Sequence, residues 1–579
     1  MRSLLRVQMG SLTVERGDLP SELTTLGGRA LTSTLIAAGV PPRCHPLSAS
    51  NKLVIAPGLL SGTVAPCSGR LSMGAKSPLT GTIKESNSGG MAAQTLGRLG
   101  IGAIVVEGIP EDPKARYVLR IDANGAEITA APELAGLGNY DTVARLREQH
   151  GEKVACISIG PAGEMRLCAA SVAVTDIEGR PTRHAGRGGL GAVMGSKGLK
   201  AIVLDAAGCE RPASHDPEAL KAASKRFAKH LGEHPVTGQS LPMYGTNVLA
   251  EVINAAGAYP TRNFSDGTFE GVDAISGETE RETMIARKGN PTHPCHTGCT
   301  IRCSSIYVDE KGEYISKGPE YETVWAHGAN CGISDLDAIA RMDRADDDIG
   351  LDTIEMGATF GVAMEGGLLA FGDHEGVLRL LDEVRQGTPL GRILGSGAAV
   401  TARAFGVSRV PCVKGQALPA YDPRAAKGIG VTYATSTMGA DHTAGYAICQ
   451  NVLGVGGNVD PLKPDGQVAL SAALQQATAA IDSTGFCLFI AFCVLDVPDA
   501  GQAVVDLINA HCGTEWSGDD YLENLGRATL RTERSFNQAA GFTAADDRLP
   551  DFFTTELLAP HNSVFDVPDK ELDATHAGL

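Results

Sequence analysis

Short runs of apolar residues broken by glycine-rich turns dominate the first 205 positions of the chain. KLVIAPG (52–58), GAIVVEG (102–108), RYVLRID (116–122), VACISIG (154–160) and KAIVLD (200–205) each have the length and β-branched content of a strand. Past residue 214 the period changes. DPEALKAASKRFAKHLGEH (216–234), LDAIARMDRADDDIG (336–350), GVLRLLDEVRQG (376–387) and GQVALSAALQQATAAIDSTG (466–485) space apolar residues as helices do, and Asp216-Pro217 is a good helix start. The expected fold is therefore α+β. A sheet-rich domain over 1–208 precedes two mainly helical domains over 209–410 and 411–579, with breaks near 209–217 and 407–416. The polar last fifteen residues are expected to form a loose tail. No solenoid-type repeat is visible.

One echo does recur. Asp347-Asp-Ile-Gly350-Leu351-Asp352 and Asp482-Ser-Thr-Gly485-Phe486-Cys487 share Asp-x-x-Gly-apolar-(Asp/Cys). Each closes a predicted helix, where glycine is the natural C-terminal cap. Either alone reads as an ordinary helix end. As a pair they read as two carboxylates able to grip two amino-pyrimidine edges related by approximate symmetry.

Composition narrows the possibilities. Charge is 50 basic against 67 acidic residues, net −17, which argues against a nucleic-acid or anionic-membrane surface. No apolar run approaches the ~18 residues of a membrane span. The opening MRSLLRVQMGSLTVERG has no continuous apolar stretch or cleavage site, so a cytoplasmic location is expected. Glycine supplies 71 of 579 residues, well above the usual share, as suits a backbone that repeatedly approaches a large ligand.

Three of the fourteen cysteines fall within nine residues, Cys295, Cys299 and Cys303. Thiolates on one short loop can wrap one face of an iron–sulfur cubane, with Cys487 as the candidate fourth ligand. Zinc competes, but its tetrahedral sites usually use two separated close-spaced pairs. A [4Fe–4S] cluster is the favoured reading. His293 and His296 are expected to be solvated or to support the ligands.

Gly186-Arg-Gly188-Gly-Leu-Gly191 fits G-x-G-x-x-G, yet the residues before it do not read as a strand and Gly195 and Gly198 interrupt the helix that should follow. With Arg183 and Arg187 it better suits an anion such as phosphate. Ser68–Pro78, with Arg70 and Lys76, and Ser86–Gly90 have the texture of ligand-facing loops. Glu320, Glu322, Asp441 and His442 are candidates for acid–base work, though a lone loop histidine is more often structural.

Together these stretches resemble the tungsten-containing aldehyde:ferredoxin oxidoreductase family. The likeness runs to about residue 500, through NKLVIAPGLLSGTVAPCSGR (51–70), AKSPLTG (75–81), SNSGG (86–90), GRGGLGAVMGSKGLKAI (186–202), RNFSDGTFEG (262–271), KGPEYETVWAHGANCGISDLDAI (317–339), IGLDTIEMG (349–357), VKGQALPAYDPRAAKGIGVTYATS (413–436), GADH (439–442) and DSTGFC (482–487). The resemblance implies one tungsten or molybdenum between two pyranopterins beside a [4Fe–4S] cluster. Asp347, Leu351 and Asp352 would hold one pterin; Asp482, Phe486 and Leu488 the other. Mg2+ bridging the pterin phosphates would fall at Asn87, Gly89 and the segment Arg183, His184, Ala185, Gly186 and Arg187. Arg70 would lie between cluster and pterin. Cys295, Cys299, Cys303 and Cys487 would bind the cluster, and Glu322 and His442 would stand nearest the metal.

The implied reaction is aldehyde oxidation to a carboxylic acid, His442 hydrogen-bonding the carbonyl and Glu322 taking a proton. Electrons would pass to ferredoxin or an iron–sulfur subunit, with or without a flavoprotein, in an oligomeric assembly. Three departures stand out. The loop is C-x3-C-x3-C rather than C-x2-C-x3-C, the Gly-Trp-x-Gly opening is missing, and no E-x-x-H is present, so no metal is expected at a dimer interface. The alternatives are an aromatic-thioester reductase of the same family, an electron-transfer subunit without a working pterin site, and a nicotinamide dehydrogenase.

Overall fold

Residues 2–579 are described by a computed structural model of the chain. All five apolar runs form strands, and each is a central strand of one of two six-stranded sheets. The first sheet contains β1 (Ser3–Gln8), β2 (Thr13–Asp18), β3 (Leu53–Pro57), β4 (Leu71–Lys76), β5 (Ile83–Ser88) and β6 (Ile101–Glu107), in the order β2-β1-β6-β3-β4-β5. The second contains β7 (Tyr117–Asp122), β8 (Gly125–Ala130), β9 (Ala155–Ser158), β10 (Val172–Val174), β11 (Arg183–Ala185) and β12 (Leu199–Leu204), in the order β8-β7-β12-β9-β10-β11. The central positions are buried on both faces and therefore read as unbroken apolar runs; the flanking strands are short or polar and gave little signal.

The two sheets have the same topology, strand for strand. In each, the first and sixth strands are the parallel pair and the remaining neighbours are antiparallel. The N-terminal region is thus a structural duplication that sequence inspection did not find. One apolar core takes residues from both sheets, including Leu53, Ile104, Ile157 and Ile202. The edge strands β5 and β11 meet each other. Register makes the equivalence explicit: Leu71 pairs with Ser88 and Ser72 with Asn87, as Val172 pairs with Ala185 and Ala173 with His184. Asn87 and His184 therefore occupy equivalent places, as do Arg70 and Ser171, the residues just before β4 and β10.

The rest of the chain is mainly helical. Pro217–Glu233 is capped by the Asp216 side chain, which accepts from the Ala219 amide. The helices Leu336–Ile349 and Gln467–Thr484 end where expected, each on a left-handed glycine, Gly350 (φ 81°) and Gly485 (φ 88°). Two expectations fail. Ser68–Pro78 and Ser86–Gly90 are largely strand rather than loop, and Lys76 turns away from the ligand side to the Pro42 carbonyl. The C-terminal fifteen residues are not loose: Phe565, Val567 and Leu572 are buried, Asp569–Ala574 is helical, and His576 bonds the Thr435 carbonyl.

Candidate active site

Each Asp-x-x-Gly turn packs on one copy of the duplicated unit at van der Waals limit. A Cβ on Gly58, just after β3, would lie 2.0 Å from the Gly485 Cα; one on Gly160, just after β9, would lie 2.2 Å from the Ile349 carbonyl oxygen. Backbone bonds repeat the relation, the Arg70 amide donating to Gly485 O and the Ser171 amide to Gly350 O, both at 2.9 Å. The two carboxylates are thereby presented to one cavity of about 580 Å3 between sheets and helices.

Among the lining residues are Arg70, Asn87, Gly89, Arg183, His184, Gly186, Arg187, Cys295, Cys303, Glu322, Asp347, Leu351, Asp352, His442, Asp482, Cys487 and Leu488. Three expected site residues stand back from it. Ala185 is buried in β11, the Phe486 ring packs edge-on against Phe227, and Cys299 is half-buried away from the lining.

Each grip aspartate shares a cation with a second acid. Lys317 Nζ lies 3.1 Å from both Asp347 carboxylate oxygens and 2.6 Å from Asp343. Arg29, on the first helix, forks onto Glu533 with two 2.9 Å bonds and reaches Asp482 at 3.3 Å. Burial raises the Asp347 pKa well above the carboxylate range and that of Asp482 to about 6, in spite of these cations. Arg29, Lys317 and Glu533 were missed from sequence, because their partners lie up to several hundred residues away and no local pattern marks them.

Where β11 lines the cavity the arginines differ. Arg187 is fully engaged, to Asp352 at 3.2 Å and to the Ala440 and Ala417 carbonyls at 2.8 and 2.7 Å. Arg183 donates to Ser304 Oγ at 2.6 Å but leaves its Nε without a partner. His184 bonds Ser171 at 2.7 Å, and burial lowers its pKa to about 3, so it is neutral. The strand that sequence denied to the G-x-G-x-x-G segment exists as β11, and the helix Leu190–Ser196 follows through Gly195. β11 is an antiparallel edge strand, so the segment is still no dinucleotide-binding βαβ unit.

Glu322 and His442 meet deep in the chamber, Oε1 to Nε2 at 3.4 Å. Burial raises the Glu322 pKa to about 8, despite a 3.0 Å bond from the Ala420 amide, and lowers that of His442 to about 4. At neutral pH the pair is therefore a carboxylic acid beside a neutral imidazole. Tyr421 and Tyr446, bonded to each other at 2.7 Å, wall the imidazole. Lys84 pairs with Asp441 at 3.1 Å behind it.

The thiols gather at one end. Cys295, His296 and Cys299 bring ligand atoms within 4.8 Å of one another. Arg70 Nη2 donates to Cys487 Sγ at 3.1 Å, and a Cβ on Gly89 would stand 3.3 Å from Cys295 Sγ. Both loop histidines are buried, not solvated; His293 reaches Glu178 at 3.2 Å. A fifth thiol, Cys67, reaches the same loop, its Sγ 3.3 Å from Thr300 Oγ1 and accepting from the Thr300 amide at 3.4 Å.

Among the described residues, Arg70 Nε, Glu85 Oε1, Asn87 Nδ2, Arg183 Nε, Glu322 Oε1 and His442 Nδ1 are all buried without a hydrogen-bond partner, and all six residues line this one cavity. Native proteins seldom leave such groups unpaired, so the chamber is built for a large polar guest. A duplicated cradle, two symmetric carboxylate grips and an adjoining thiol patch define a cofactor-holding redox protein.

The comparisons agree. Residues 4–206 match the family model of the aldehyde ferredoxin oxidoreductase N-terminal domain, and residues 222–575 that of domains 2 and 3. The chain belongs to the aldehyde ferredoxin oxidoreductase family. It is 37% identical to the tungsten-containing aldehyde ferredoxin oxidoreductase of Pyrococcus furiosus over 573 residues, covering 96% of this chain and 91% of that one. The Thermococcus kodakarensis protein of the same name gives the same identity and coverage. Among solved structures, the active site complex BamBC of benzoyl coenzyme A reductase superposes with TM-score 0.81 at 20% identity, over 100% of this chain and 93% of the other, a likeness of fold. No helix among the described residues is long and apolar enough to cross a membrane.

Proposed function

We propose that the chain oxidises aldehydes to carboxylic acids at a tungsten or molybdenum bis-pyranopterin and passes the electrons through one [4Fe–4S] cluster to ferredoxin or an iron–sulfur partner subunit. The observation that carries this reading is the convergence of six unpartnered polar groups on a chamber holding the Glu322–His442 pair. Asp347, Leu351 and Asp352 would hold one pterin, and Asp482 with the backbone at Phe486 and Leu488 the other. Asn87, Gly89 and Arg183 to Arg187 would face the Mg2+-bridged phosphates; since Arg187 is engaged with protein, we assign it to orienting Asp352 rather than to phosphate. Cys295, Cys299, Cys303 and Cys487 would bind the cluster. The boundaries 1–208, 209–410 and 411–579 fit this division of labour, one unit supplying the cradle and each of the others one grip. Fourteen free cysteines suit a reducing cytoplasm.

When bound, the metal–pterin unit supplies two-electron redox chemistry and the cluster a one-electron exit. The chain supplies placement and proton control. Apolar walls from Val248, Leu249, Leu453, Phe489, Phe492 and Leu495 admit an uncharged carbonyl compound and shed its water. Neutral His442 offers a ring N–H to the carbonyl oxygen. Glu322 accepts the proton of the attacking water or hydrate, and does so only in its ionised form.

Elemental analysis of anaerobically purified protein should find about one tungsten or molybdenum and about four irons per chain. Iron alone would sink the aldehyde reading in favour of an electron-transfer subunit, and zinc alone would overturn the cluster. Because the Glu322 pKa is raised to about 8, kcat/KM should climb as pH rises through 8 and be lost below it. Glu322→Gln should remove that limb and lower kcat by ~10²–10⁴ with metal content unchanged. A Glu322→Gln enzyme with full turnover would refute the assignment.

A further inference from the structure

Cys67 belongs to no cysteine motif, yet it sits among the cluster thiols. Its amide donates to the Gly298 carbonyl at 2.9 Å, and its own carbonyl accepts from the Cys487 amide at 2.9 Å. It is thus pinned between the 295–303 loop and the fourth cysteine. Those bonds hold it at φ 58°, in the left-handed region that a non-glycine residue adopts only when its surroundings impose it. The Sγ accepts from the Thr300 amide at 3.4 Å, just as Cys299 Sγ accepts from the Arg302 amide at 3.4 Å. Two sulfurs therefore share one turn of loop and the same kind of N–H support.

Their exposure differs in a useful way. Cys67 is fully buried, whereas Cys299 is partly exposed. A second feature points to a metal at this corner. His296 is fully buried, its Nδ1–H donates to the Thr297 carbonyl at 2.9 Å, and its Nε2 has no hydrogen-bond partner among the described residues. That imidazole, Cys295 and Cys299 already bring ligand atoms within 4.8 Å of one another. Cys67 Sγ also lies 3.3 Å from Thr300 Oγ1, against the residue next to Cys299.

We propose that Cys67 is an alternate ligand for the cluster iron held by Cys299, able to take that corner when the more exposed thiol is blocked or lost. The exchange is a ligand substitution. The Fe–S(Cys299) bond breaks and the Fe–S(Cys67) bond forms, Cys67 gives up its thiol proton, Cys299 takes one up, and no electron moves. This inference rests on the cluster reading above.

The test compares Cys299→Ala, Cys67→Ala and the double variant, all as anaerobically prepared full-length enzyme, by iron per chain and by electron paramagnetic resonance. Cys299→Ser runs alongside, preserving side-chain size should the alanine variant fail to fold. Each single variant should keep about four irons and a reduced four-iron spectrum, that of the Cys299 variants shifted by the new ligand. The double variant should fall to about three irons, with the three-iron signal in the oxidised state. Three irons in Cys299→Ala or Cys299→Ser would overturn the proposal, and so would four irons in the double variant. Absence of iron from the unaltered enzyme would sink the cluster reading itself, a distinguishable result.

Discussion

The two Asp-x-x-Gly turns are the same device used twice, and what differs between them sets the proposed cluster beside only one. Asp347 and Asp482 each end a helix on a left-handed glycine, each share a buried cation with a second acid, and each press against a glycine at the same point of a duplicated sheet. Two residues beyond the glycine the symmetry breaks. Asp352 caps the next helix and fixes Arg187, whereas Cys487 turns its sulfur toward Arg70. The sheet residues opposite differ likewise, Ser171 on one side and Arg70 on the other. On the proposed reading, a pseudo-symmetric frame holds two similar halves of a cofactor while a handful of unmatched residues add the cluster to only one of them.

Breaking the frame should have the largest effect, and the same effect on both sides. Gly58→Ala and Gly160→Ala each drive a Cβ into immovable backbone at 2.0–2.2 Å, which places them in the exceptional class of destabilisation above ~5 kcal/mol. Thermal unfolding should fall by similar amounts. One variant harmless and the other not would disprove the equivalence. Next come the shared cations. Arg29→Met strands buried Glu533 and Asp482, and Lys317→Met strands Asp343 and Asp347, each a loss of ~3–5 kcal/mol. The measurement is again thermal unfolding, together with tungsten or molybdenum retained. Unchanged metal in both variants would show that the cations serve stability alone.

The sequence analysis reached the frame unevenly. Central strands announced themselves because both faces are buried, and the paired turns because glycine caps a helix in a recognisable way. The duplication stayed hidden: its equivalent residues, Asn87 with His184 and Arg70 with Ser171, share backbone register and no chemistry. β5 and β11 were missed because strands that line a cavity carry polar residues, so they read as loops, and β4 because its serine and glycine have a loop's texture. Arg29 and Cys67 had no local signal. Arg29 acts on Asp482 from 453 positions away, and Cys67 lies over 200 residues from the loop it supports. Glu322 and His442 were candidates from their residue types and were singled out by the resemblance; their inverted protonation states come only from burial.

The smallest expected effect is the most discriminating. Arg70→Ser installs on the cluster side the residue found at the equivalent point of the other. It removes a charge-assisted N–H···S bond of 3.1 Å to Cys487 and a cation facing Cys295 and Cys303. A bond of that kind is worth ~1.5–3 kcal/mol. If about 1.4 kcal/mol of that favours the reduced cluster, the one-electron potential should drop by roughly 60 mV. Iron content should hold, because no thiol is touched. A redox titration followed by paramagnetic resonance reads the shift directly. A lower potential with four irons retained would make Arg70 the residue that turns one of two matched sites toward electron exit. An unmoved potential would leave the asymmetry to the cysteines alone.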